Sequence, residues 1–349
     1  MKAACFGLVF ALCASGVCRL AVEARGGDSA DPAGPVRTQV IEMQAGWNAV
    51  FLEVHPLDGD PAAVFGSLPV DIVASFFERS TAAQFVVNPD ADLYRRAGWG
   101  VWYAAGRPDA FLKTLHGVHG QQAYLIRARS AFTWRITGLV TAPEVQWQAD
   151  AFNLVGFSVD SQAAPTFAQF FAGSMAHRHN RLYRLTGGIW RRVLDPDAEA
   201  MRSGEAFWIY CVGASRYQGP LEVKTTIRRG VVLGSVADTV ILRNRCDHPV
   251  TPTVAHVVAG LNPVPLSLVV QAYGDNFGQW RSVAVPQTEA SWTQALPPLE
   301  AGQAIQVPLE AERQAMQAAV HRSLLRITTD LGTEVWVPVF AIREDLEEK

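Results

Sequence analysis

The chain has 349 residues, 49% of them hydrophobic and 18% charged, with a formal net charge of -3 and a pI near 6.2. That length allows two or three domains with sizeable cores, and that apolar fraction excludes a disordered polymer. The slightly acidic balance removes the electrostatic basis for nucleic-acid binding, so no nucleic-acid partner is expected.

Residues 1–24 read as a secretory signal. Lys2 supplies the positive start, Ala3 to Val17 form an uncharged apolar centre, and small residues place cleavage after Gly16 or after Ala24. The apolar run stops at Arg19, short for a membrane span, and no later stretch reaches about 18 uninterrupted apolar residues. The processed chain is therefore expected to carry no membrane span. Three of the five cysteines (Cys5, Cys13 and Cys18) fall in the signal. Cys211 and Cys246 remain in separate predicted domains and are expected as buried free thiols, with a disulfide as the alternative.

Residues 25–37, rich in Gly, Pro and Asp, read as a flexible lead-in. Two copies of one β-rich module follow, over 38–140 and 141–224. Each opens on a strand: Gly46-Trp47-Asn48-Ala49-Val50-Phe51-Leu52-Glu53-Val54 in the first, Ala151-Phe152-Asn153-Leu154-Val155-Gly156-Phe157-Ser158-Val159 in the second. Alternation puts Val50, Leu52 and Val54 on one face, matched by Val155, Phe157 and Val159 behind a shared asparagine, Asn48 or Asn153. The opposite face changes from Trp47, Ala49, Phe51 and Glu53 to Phe152, Leu154, Gly156 and Ser158, as for a strand with one core side.

A short helix comes next in each copy. Asp60-Pro61 gives an N-cap followed by proline, with Val64, Phe65 and Leu68 as the apolar stripe. Thr166 with Gln169 gives a capping box over Phe167, Phe170 and Phe171. The tails agree in order: Trp102 with Trp190, Gly120 with Gly204, Ala123-Tyr124-Leu125-Ile126 with Ala206-Phe207-Trp208-Ile209, and a closing aromatic with a turn glycine at Trp134 to Gly138 and Arg216 to Gly219.

Residues 225–349 change character. Short strands are expected at Val231–Leu233, Thr239–Leu242, Thr253–Val258 and Leu266–Tyr273, then a helix over Glu310–Arg322. A hairpin closes the chain, with strands at Leu325–Thr328 and Val335–Ala341 about a turn at Asp330-Leu331-Gly332. The spacing predicts an all-β sandwich with one helical insertion, and this closing domain resembles the immunoglobulin-like sandwich modules of surface proteins. The fold class is mainly β: two tandem homologous β-rich modules with short helices, then that sandwich. The stretches GWNAVFLEV, GQQAYLI, GEAFWIYC and YQGPLEV resemble secreted bacterial proteins with paired GWN-type repeats. That resemblance implies location and architecture and brings no catalytic residues.

Few residues carry chemistry. His116 with His119 and His177 with His179 have spacings that fit two imidazoles on one metal, yet no HExxH or Cys-His cluster supplies further ligands, and solvated loop histidines are expected. Acids cluster at Asp58/Asp60, Asp90/Asp92 and Asp195/Asp197/Glu199, the last being the best candidate for calcium although it lacks EF-hand spacing. The serine context Ala172-Gly173-Ser174-Met175 lacks the second glycine of a nucleophile elbow. No phosphate- or dinucleotide-cradling glycine motif appears, and no cofactor is expected. Of ten tryptophans, Trp47, Trp102, Trp190 and Trp208 are expected to be structural. Trp99 and Tyr103 lack aromatic counterparts in the second copy and are the candidate sugar-stacking face.

These features point to a non-catalytic structural or adhesive protein, secreted, periplasmic or at a bacterial cell surface, with a protein or envelope partner. A carbohydrate-binding accessory module is the alternative, and a glycoside-active enzyme, which would need two carboxylates across a cleft, comes third.

Overall fold

The computed structural model describes residues 34–77, 98–142, 145–179, 181–227, 230–234, 237–273, 280–286 and 291–343. The expected signal, most of the lead-in and the pair Asp90/Asp92 lie outside the described residues.

Module one contains β1 (Val36–Met43), β2 (Gly46–Leu52), β3 (Val54–Pro56), α1 (Pro61–Phe65), β4 (Val70–Phe76), β5 (Trp99–Tyr103), β6 (Gln122–Ala128) and β7 (Phe132–Val140). These strands form two sheets, β1-β7-β3 and β2-β6-β4-β5. Met43, Leu52, Phe65, Val73, Trp102, Tyr124, Ile126 and Trp134 fill the space between them. The α1 start follows its local code: the Asp60 carboxylate accepts from the Ala62 N–H, and Pro61 stands at the first helical position.

Module two contains β8 (Ala151–Gly156), α2 (Phe167–Phe171), β9 (Leu182–Thr186), β10 (Ile189–Arg192) and β11 (Ala206–Cys211) in one sheet, ordered β8-β11-β9-β10. That is the order of β2-β6-β4-β5 repeated. The Thr166–Gln169 capping box is formed, and Phe167, Phe170 and Phe171 of α2 pack on Phe157, Phe207 and Ile209. The retained asparagine does the same work in each copy. Asn48 accepts from the Gln44 N–H and donates to the Gln44 carbonyl; Asn153 accepts from the Gln148 N–H and donates to the Gln148 and Ala151 carbonyls. Each pins the turn that feeds its opening strand, so the residue persists while its neighbours change.

The third body carries β12 (Leu221–Lys224), β13 (Val231–Leu233), β14 (Asp238–Asn244), β15 (Pro252–Val258), β16 (Leu266–Tyr273), β17 (Trp280–Pro286), β18 (Trp292–Ala295), β19 (Ala304–Ala311), β20 (Val320–Thr329) and β21 (Glu334–Ile342). Two five-stranded sheets, β12-β14-β19-β16-β17 and β13-β21-β20-β15-β18, enclose a core that includes Val240, Leu242, Val254, Leu309, Leu325 and Val337. The opening strand is divided between the sheets, and β13 runs parallel to the final strand β21. With β14-β19-β16 facing β21-β20-β15, the order is that of an immunoglobulin-like sandwich.

Two expectations change. The sandwich begins at Leu221, not at residue 225, because β12 pairs with β14 and Leu221 enters the sandwich core. The helix expected over Glu310–Arg322 is absent: β19 ends at Ala311, a single 3-10 turn covers Arg313–Ala315, and β20 begins at Val320. Ala, Gln and Glu favour helix locally, yet pairing with β16 on one side and with β15 and β21 on the other overrides that propensity.

Module two has no described counterpart of the β1-β7-β3 sheet; the sandwich closes it instead. At the position equivalent to β3, Val159 bridges Thr333, the Glu334 N–H donates to the Ser158 carbonyl, and the Asp160 N–H donates to the Gly332 carbonyl. Arg326 reaches both Glu334 at 2.7 Å and Asp160 at 3.5 Å. Gly332 has φ +77°, and a Cβ placed on it would lie 1.6 Å from the Ala163 carbonyl oxygen. Gly332→Ala is therefore expected to cost more than ~1 kcal/mol in urea denaturation and to remove hydrogen-exchange protection selectively at Asp160 and Glu334.

Candidate functional site

The four-stranded sheets of the two modules pack face to face. Trp47, Ala49, Phe51, Ala74, Trp99, Val101, Tyr103, Ala123 and Leu125 of module one meet Trp190, Ala206 and Trp208 of module two, with Phe152, Leu154, Tyr183 and Leu185 against the cluster. The face that changes between the copies, expected to be the side away from the core, is thus an internal interface, and both faces of β2 are buried. The candidate sugar platform goes with it: Trp99 is 7% exposed and Tyr103 6% exposed, so neither offers a ring face to a glycan.

Strand registers also correct the matching of aromatics. Ala74 pairs with Leu125 and Tyr183 with Trp208, which makes Ala74 and Tyr183 equivalent. Two residues on, Phe76 pairs with Trp99 and Leu185 with Trp190. The counterpart of Trp190 is therefore Trp99, not Trp102, which lies on the opposite face in the core of module one. Geometry agrees: Trp99 and Trp190 approach Trp208 edge-on at 6.4 Å and 6.2 Å, with interplanar angles of 65° and 64°. Trp208 is held between two equivalent indoles.

Equivalent residues also meet each other, as they must near an approximate two-fold axis. A Cβ on Gly156 would lie 2.2 Å from the Cβ of its counterpart Phe51. The Ser158 hydroxyl donates to the carboxylate of its counterpart Glu53 at 2.7 Å. Glu53, 3% exposed, is the hub of a buried polar junction. Arg37 pairs with it at 2.6 Å, Ser203 reaches it at 3.4 Å, and the Gln39 side chain bridges the Phe51 carbonyl and the Glu53 N–H. The Arg37 guanidinium lies 4.8 Å from the Trp336 ring centre, extending the junction to β21. Side chains of both modules thus converge on one carboxylate, and Arg37 links it to the sandwich. The sequence signal was a lone acid in an apolar strand whose repeat partner is a serine.

Beside this junction opens a groove of about 580 Å³ between the β1–β2 hairpin and the segment 201–205. Glu42, Gln44, Asp160, Ser161, Arg202 and Glu205 contribute its polar wall. Burial pushes the Glu205 carboxyl above its ordinary range, and Arg184 at 3.0 Å opposes that shift.

The other candidates disperse. Asp195 caps its own turn, accepting from the Asp197 and Ala198 N–H groups, while Glu199 pairs with Arg184 at 2.7 Å. No group of three His, Cys, Asp or Glu among the described residues is placed to hold a metal, so the calcium site at Asp195, Asp197 and Glu199 is not formed. His116 and His119 are exposed, and the His119 ring stacks on His55 at 5.5 Å. His179 is exposed but His177 is buried, contrary to the expectation of a solvated loop histidine. Gly204 has φ +73° at the entry to β11, and Gly120 lies where a Cβ would come 2.5 Å from the His55 nitrogen. Cys211 and Cys246 are buried and free.

No family model matches the sequence, and no curated protein matches it. Among solved structures, the ASH / PapD-like domain of human CEP192 (PapD-like domain 7) aligns with a TM-score of 0.21 and 9% identity, over 37% of this chain and 87% of that one. The native conformation of E. coli alpha-2-macroglobulin aligns with a TM-score of 0.21 and 10% identity, over 92% of this chain and 23% of that one. The sandwich assignment rests on strand order, not on these likenesses. Among the described residues no helix is long and apolar enough to cross a membrane.

Removing the hub is expected to expose its role. Glu53→Ala leaves the partly buried Arg37 without its partner and should cost ~3–5 kcal/mol, read from the urea midpoint. Arg37→Ala, which strands the carboxylate instead, should cost a similar amount, and the double variant should cost less than the sum.

Proposed function

We propose that this chain is a secreted, non-catalytic structural or adhesive protein of a bacterial envelope that makes protein–protein or envelope contacts. The observation that carries the reading is the face-to-face packing of the two modules around Trp208. The repeated aromatic faces are spent on each other, and the sandwich is tied in through Arg37 against Trp336 and through the β20–β21 hairpin. Such construction suits a rigid spacer that presents outer surfaces at fixed separations. The signal-like N-terminus and the resemblance to secreted proteins with paired GWN-type repeats support the location. The carbohydrate reading has lost Trp99 and Tyr103 as its platform.

The test uses the chain from residue 25 in cosedimentation with purified bacterial envelopes, before and after protease treatment, beside a glycan array. Saturable binding that protease abolishes, with no glycan signal, is the expected result. Absence of envelope binding, or binding that survives protease and follows a glycan, overturns the proposal.

A further inference from the structure

The single 3-10 turn Met175–His177 carries a histidine whose side chain is held inside module two. His177 is 2% exposed. Its ring lies 4.1 Å from Trp147, 4.9 Å from Phe171 and 6.3 Å from Tyr217, and its Nδ1 is 2.6 Å from the Ser174 Oγ. Nε2 is buried with no hydrogen-bond partner. A neutral imidazole is tolerated there at the cost of that one orphaned atom, whereas an imidazolium would bring a second N–H and a charge into an aromatic pocket.

The turn also supports the seat of the sandwich. The Val212 N–H at the end of β11 donates to the Ala176 carbonyl, and the Tyr217 hydroxyl donates to the Phe170 carbonyl. One residue before Ser174, Gly173 sits so close to the sandwich that a Cβ on it would lie 1.7 Å from the Arg245 carbonyl oxygen. The titratable and charged groups around the pocket are few. Arg178 follows on the same turn and is exposed, the Cys211 thiol on β11 donates to the Gly213 carbonyl, and Arg245, Cys246 and Asp247 stand near Tyr217 on the sandwich side. None is hydrogen-bonded to His177 among the described contacts.

We propose that His177 is an acid-sensitive latch: protonation of its ring expels the 174–177 turn from the aromatic pocket and loosens the contact between Gly173 and Arg245. Burial pushes the His177 pKa down to about 4 from 6.5. The closed state therefore binds fewer protons than the opened state, so the latch is fully stable above pH 6.5 and weakens as pH falls toward 4. Opening gains at most about tenfold per pH unit inside that window, about 80-fold in all between pH 6.5 and pH 4, and approaches about 300-fold only well below pH 4.

The experiment is hydrogen exchange on the full mature chain from pH 7 to 4, corrected for intrinsic exchange rates. Peptides spanning 167–179 are compared with peptides spanning β6 of module one. A rise in opening confined to the first set, absent in His177→Phe, is expected. A pH-independent opening, or an equal rise in His177→Phe, overturns the latch. Should that variant fail to fold, NMR titration of the wild-type imidazole decides: a pKa near 4 supports it and one near 6.5 overturns it.

Discussion

Everything else in the two modules depends on one constraint: a duplicated strand that packs against its own copy cannot carry the same residue twice where the copies touch. Near the approximate axis Phe51 lies over Gly156, and Glu53 meets Ser158. Two phenylalanines in the space of one would overpack the interface, and two carboxylates in one dry site would leave a charge without a partner. Divergence of the copies along this face is therefore complementarity. The face toward each module's own core has no such conflict, so Val50, Leu52 and Val54 find apolar equivalents in Val155, Phe157 and Val159.

That constraint also separates what was legible in the sequence from what was not. The period of two revealed strands and their core faces, because alternation is a local property. Local codes also worked at α1, at the α2 capping box and at the final hairpin. The second buried face of β2 is legible in the stretch from Trp47 to Val54, whose eight residues hold only two polar side chains. A near-continuous apolar run signals burial on both sides. The sequence order that sets Trp190 beside Trp102 passes over loops of unequal length: twenty-two residues separate β4 from β5, but two separate β9 from β10. A slip of that kind puts a side chain on the other face of a strand. The expected helix near residue 315 failed for a different reason, since strand partners supplied from elsewhere in the chain outweighed local propensity.

The polar junction was hidden because its members are far apart in sequence. Arg37 and Gln39 precede Glu53, while Ser158 and Ser203 lie 105 and 150 residues beyond it. A buried carboxylate is expensive unless several donors converge on it, and convergence from two modules is a tertiary fact. His177 was hidden similarly, since its pocket draws Trp147 and Tyr217 from segments on either side of the module.

The closing asymmetry follows from the same arrangement. Module one completes its core with its own sheet β1-β7-β3, whereas module two offers Ser158–Asp160 to the β20–β21 hairpin. Module two is thus bounded on one side by module one and on another by the sandwich, and its core depends on both neighbours. A repeat caught in this way cannot act as an independent second binding unit equal to the first. The duplication here builds one packed body in which the two copies are closed by different neighbours.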